Sequence, residues 1–171
     1  MSEYIHPCTT ADAYYVASNL RDPDFRECTE GYGLEPTQFI PFIAKRGRTI
    51  IFKSPDGRIA GIAGVSPEKQ IWMLCTPVIE EFKHKFVREA KQWIDSLNEP
   101  FLYNVVDARN TTHIKMIKWL GFTFGKDIEY GPNKLTFKEF YRVLTSPWDG
   151  GFHWRGSSGS GRTEPVRASS S

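Results

Sequence analysis

Asp107 and His113 flank the point where an apolar run, FLYNVVDA, gives way to RNTTHIKMIKWLGF, and each carries a group able to take a proton. Asn110 stands between them as a residue that can cap a helix. A thiol and a hydroxyl, Cys75 and Thr76, close another apolar run, IWMLCT. Three consecutive basic side chains, Lys83, His84 and Lys85, follow in TPVIEEFKHKF and could supply charge to a phosphate. Each also has a plain structural reading. Asp107 suits a loop or cap, His113 the third position of a helix, and Cys75, with no histidine fixed beside it, a small buried hydrophobe. The basic triplet suits a solvated helix face.

The elements that must position these groups follow from period and punctuation. The run FLYNVVDA after Pro100 reads as a central strand buried on both faces. It leads directly into a helix that Asn110 caps, at about 1 kcal/mol, and that Gly121 closes from a left-handed position. Upstream, Phe82, Phe86, Ala90, Trp93, Ile94 and Leu97 recur at helical spacing. Before that helix, RTIIFKSPDGRIAGIAGV and QIWMLCT form a three-stranded antiparallel meander around Pro55-Asp56-Gly57 and Ser66-Pro67.

The N-terminal third begins with a short strand at EYIHP, then a helix with Thr10 as N-cap. DPDFRECTEGYGL is a short helix or turn, and EPTQFIPFIAKRG a further helical piece that Pro41 should bend or shorten. Two strands around Gly131-Pro132-Asn133 end the domain. Trp72, Trp93 and Trp119 fall on apolar faces.

Composition narrows the partners. With 22 basic and 20 acidic side chains in 171 residues, the net charge of +2 implies neither nucleic acid nor a membrane surface as the main partner. Three scattered cysteines lack the spacing of a zinc site or a disulfide scaffold and suit a reducing interior. No apolar stretch approaches the length of a membrane span. A soluble protein of the cytoplasm is expected.

The helix bracketed between strands, with eleven residues separating Asn110 from Phe122 and Gly121 just before that phenylalanine, resembles the last motif of the GCN5-related N-acetyltransferase superfamily (GNAT). The resemblance implies an α/β (α+β) fold with a mixed, mostly antiparallel central sheet and helices on both faces. A closer likeness is to GNAT-like internal virion proteins encoded among the virion-assembly genes of short-tailed phages. It is carried by ADAYYVASNLRDPDFRE, IWMLCTPVIEEFKHKFVREAKQWID and NTTHIKMIKWLGFTF, within residues 11 to 125.

For acetyl transfer the superfamily needs a pyrophosphate cradle after the fourth strand, a splayed strand edge for the pantetheine, a base and an acid. The likeness places acetyl-CoA near Cys75, Thr76, Lys83, His84, Lys85 and Asn110, and leaves Asp107 and His113 as bases. Several parts are missing. The cradle region has no glycine and carries Glu80 and Glu81; the position of the usual acidic tyrosine is Ile117; the fourth strand has no acid. Tyr103 and Tyr130 are the nearby phenols. The expectation is a catalytically degenerate phage protein acting in virion assembly through contacts with virion or other phage proteins. The alternative is an acetyl-CoA-dependent N-acetyltransferase. The domain is expected to span 1–147, with a Gly/Ser/Arg tail over 148–171 whose Phe152 and Trp154 could dock a partner.

Overall fold

The computed structural model describes residues 2–144. The expected tail, with Phe152 and Trp154, lies outside the described residues. The chain runs β1 (Ile5–Pro7), α1 (Thr10–Ser18), α2 (Asp22–Arg26), a π turn (Glu27–Gly31), α3 (Pro36–Ala44), β2 (Arg48–Lys53), β3 (Ile59–Val65) and β4 (Ile71–Cys75). A 3-10 turn (Pro77–Glu81), α4 (Lys83–Ser96), β5 (Phe101–Asp107), α5 (Thr111–Trp119), β6 (Thr123–Tyr130) and β7 (Leu135–Val143) complete it.

The strands form two sheets, β1-β2-β3-β4 and β5-β7-β6, antiparallel within each. Among the described residues, one parallel bridge, Gln70 to Tyr103, joins them. Side-chain alternation sends Ile51, Trp72 and Leu74 to one face, against Val16 of α1 and Ile40 of α3. Phe52, Ile71, Met73 and Cys75 face the other, against Phe86, Trp93 and Ile94 of α4 and Met116 and Ile117 of α5. Helices therefore cover both faces, as the fold class requires.

Local chemistry explains the element ends and some departures from expectation. The cap of α1 is Thr9, one residue before Thr10, because Asp12 then falls at the third helical position and closes a reciprocal capping box. Pro41 sits inside α3, which runs on to Ala44. The strand β5 is not central: it lies at the break between the two sheets, and Phe101 is exposed. Trp119 is also exposed, at 54%, because His113, Met116, Ile117 and Leu120 make the inward stripe of α5 and Trp119 lies off it.

Candidate functional site

Beyond the Gln70–Tyr103 bridge, β4 and β5 diverge, and the peptide groups along both facing edges must find partners other than each other. Ile71, Met73 and Cys75 turn theirs toward β5; Tyr103, Val105 and Asp107 turn theirs toward β4. At the narrow end the Asn104 side chain replaces the missing ladder. Its amide donates to the Ile71 carbonyl and its oxygen accepts from the Val105 N–H, both at 2.8 Å.

The wide end is closed by the segment from Arg21 to Tyr32. The Arg21 N–H donates to the Cys75 carbonyl at 2.9 Å, and the Cys75 N–H donates to Asp24 Oδ2 at 2.9 Å. Across the gap, the Asp107 N–H donates to Glu27 Oε1 at 2.6 Å, and the Tyr32 hydroxyl donates to the Val105 carbonyl at 3.3 Å. The π turn makes this possible. Its widened winding, with the Tyr32 N–H bonded back to the Glu27 carbonyl, puts Glu27 and Tyr32 over the strand ends.

Asn110 caps α5 as expected, its oxygen accepting from the His113 N–H at 3.2 Å. Its amide does more, donating to Asp24 Oδ1 at 2.9 Å and Glu27 Oε2 at 3.1 Å. Asp24 is wholly buried and pairs with the buried Arg21 at 2.8 Å. Asp107 is buried beneath Arg109, which forks onto it and also reaches Glu30 at 2.6 Å. His113 is buried at the third position of α5. Burial pushes the Tyr32 phenol well above its ordinary value, with Glu27 adding to the rise.

Between the narrow and wide ends lies a cavity of about 300 Å³. Glu27, Tyr32, Met73, Asn104, His113 and Ile117 are among its walls. Leu34, Phe42 and Tyr130 give it an exposed, apolar rim. A carboxylate, an imidazole, a phenol and the Met73 peptide thus meet in a largely apolar space, an arrangement suited to orienting a small ligand.

Of the residues singled out from sequence, Asp107, Asn110 and His113 converge here, and Cys75 reaches the gap by its backbone. Its side chain packs in the core, and burial pushes the thiol up to about 12. Cys28 is pushed to about 12 by burial as well. At pH 8 a thiol reagent should therefore leave Cys28 and Cys75 unmodified in the native protein and label both once it is unfolded in urea; fast native labelling of either would show that its burial fails. Thr76 is buried, donating its hydroxyl to the Ile59 carbonyl at 2.8 Å and its N–H to Ala60.

Helix α4 begins at Lys83, where a charge-based cradle would need it to begin. Its basic residues are engaged elsewhere. Lys83 pairs with Glu80, His84 stacks on Trp119 with ring centroids 6.3 Å apart, and Lys85 lies 4.3 Å above the Tyr4 ring. The preceding 3-10 turn contains no glycine, and Glu81 pairs with Arg58. The strand-edge N–H groups of Cys75 and Asp107 are bonded to Asp24 and Glu27. Arg21, Asp24, Glu27 and Tyr32 escaped the sequence reading. Their signal was charge at positions 21, 24 and 27, three apart on one helical face beside an apolar Cys28.

This architecture is the GNAT N-acetyltransferase fold. An acetyltransferase of the GNAT family from Bacillus anthracis aligns with a TM-score of 0.61 at 12% identity, over 84% of this chain and 96% of that one. Spermidine N-acetyltransferase from Vibrio cholerae, solved with CoA and spermine, aligns with a TM-score of 0.59 at 12% identity, over 81% and 94%. No protein-family model matches the sequence, and no curated protein matches it. Among the described residues, no helix is long and apolar enough to cross a membrane.

Proposed function

We propose that this chain is a GNAT-fold protein that has lost acyl-CoA transfer and acts by binding, in virion assembly through contacts with other phage proteins. One observation carries the loss of transfer: Asp24 and Glu27 occupy the peptide N–H groups of Cys75 and Asp107, at the open end of the β4–β5 gap. The virion role rests on the sequence resemblance. Neither structure aligned above is a phage protein.

The second reading is an acetyl-CoA-dependent N-acetyltransferase, and the structural neighbours favour it. So does the cavity, which lies between the splayed strands with Met73 in its wall. For that reading Asp107 or His113 is the proposed base, and the segment from Arg21 to Tyr32 must swing away to release both strand edges.

Calorimetric titration with acetyl-CoA, with desulfo-CoA as a control, separates the two. Absence of heat up to about millimolar ligand is the expected result, corresponding to less than about 4 kcal/mol of binding free energy. Micromolar binding would replace the first reading with the second.

A further inference from the structure

The closed end of the gap holds an arrangement that packing alone does not account for. Asp24 of α2, Glu27 at the start of the π turn and His113 of α5 are all buried, with potential ligand atoms within 4.8 Å of one another. His113 Nδ1 lies 3.8 Å from Asp24 Oδ1 and 3.8 Å from Glu27 Oε2. Neither distance is a hydrogen bond. The imidazole side chain is only 10% exposed, and Nδ1 has no partner among the described residues. A buried ring nitrogen thus faces two carboxylate oxygens and is hydrogen-bonded to neither, a state in which buried polar atoms are seldom left.

Charge points to a cation. Asp24 faces Arg21, and Asp107 faces Arg109. Glu27 has no lysine or arginine within ion-pair range among the described residues, only N–H donors from Asp107 and Asn110 and the imidazole at 3.8 Å. A buried carboxylate held this way leaves a negative excess in a low-dielectric site. Spacing fits an ion too. Ligand atoms 3.8 Å apart around a metal with bonds of about 2.1 Å subtend roughly 130°, and closing to a tetrahedral angle needs shifts of only a few tenths of an ångström.

We propose that Asp24, Glu27 and His113 bind one divalent transition-metal ion, with Zn²⁺ the species that best suits one imidazole and two carboxylates. Asn110 orients both carboxylates by donating to the same two oxygens. Glu27 and His113 also line the cavity, so the remaining coordination position opens into it, toward water or a small ligand. The ion would tie α2, the π turn and α5 together across the gap. This goes beyond the reading above and is tested without acyl-CoA.

The test uses the full, untagged chain, stripped with EDTA and titrated separately with Zn²⁺ and Mn²⁺ by calorimetry, with stoichiometry from elemental analysis. One Zn²⁺ per chain at micromolar Kd or tighter is expected, weakened more than about 100-fold in His113→Phe, since losing even an outer partner weakens metal sites about 10–100-fold. No Zn²⁺ or Mn²⁺ bound above background at about 1 mM, corresponding to less than roughly millimolar affinity, would overturn the site. Binding unchanged in a folded His113→Phe variant would do the same. Should that variant not fold, the ring ¹⁵N resonances of His113 in the wild-type chain decide: a Zn²⁺-induced shift at Nδ1 supports the site, and an unmoved resonance overturns it.

Discussion

Replacing Asp24 with alanine should lower the unfolding free energy by about 3–5 kcal/mol, the range for breaking a buried ion pair by removing one partner. Asp24 has no exposed surface, and its two oxygens accept from Arg21, the Cys75 N–H and the Asn110 amide. Truncation leaves Arg21 charged, only 5% exposed and without its main partner. It also orphans a β4 peptide group at the end of the sheet. The magnitude is checked by the urea midpoint at unchanged m-value. A double variant, Arg21→Met with Asp24→Leu, should recover most of the loss, because apolar replacement of a buried pair is often neutral. The residue of the loss, about 1–3 kcal/mol, belongs to the unsatisfied Cys75 N–H. A cost below about 1 kcal/mol for Asp24→Ala would mean that the pair does not hold the gap closed.

The second large effect is expected at the tip of the β6–β7 hairpin. Gly131 has φ of +75°, and a Cβ there would lie 1.8 Å from the carbonyl oxygen of Gly31, in the π turn. No side-chain rotation relieves a contact with backbone. The tip must lift from the turn, which also strains the bond from the Asn133 amide to the Glu30 carbonyl at 2.9 Å. Gly131→Ala should therefore cost at least about 3 kcal/mol, combining left-handed backbone strain with the displacement. Gly57 provides the control. Its φ is +88°, yet a Cβ at that position would meet nothing within 4 Å, so Gly57→Ala should cost only the backbone share, about 1–2 kcal/mol. Equal losses for the two variants in thermal or urea unfolding would show that the hairpin tip does not bear on the π turn.

What the sequence disclosed was whatever short-range chemistry decides. Asn110 and Gly121 bound α5 as their cap preferences require, and the inward stripe of α4 falls on Phe86, Ala90, Trp93 and Ile94 as the spacing indicated. The meander of β2, β3 and β4 is likewise a local pattern of strands and turns. Asp107, Asn110 and His113 were found because they crowd one strand-to-helix junction.

Their partners were not legible, for a physical reason. Asp24 and Glu27 look like solvated acids on a short helix, and their spacing with Arg21 marks a charged face without saying that it turns inward. What draws them in are strand N–H groups 51 and 80 residues further along. Those groups lack partners only because β4 and β5 part, and local propensity does not report a sheet's missing ladder. The same break makes β5 a boundary strand, although its composition matches a strand buried on both faces.

That break also divides the chain in sequence. Each sheet is drawn from one continuous stretch, residues 5–75 for the first and 101–143 for the second, so each can form from its own neighbours. Across the joint between them, Glu27 and Tyr32, side chains made early, reach the Asp107 N–H and the Val105 carbonyl, groups made later. Contacts of such long sequence separation carry a larger loop-closure cost than pairings between successive strands. The described residues thus make two leaves with a clasp, and a molecule passing between the strands would have to undo the clasp rather than either leaf.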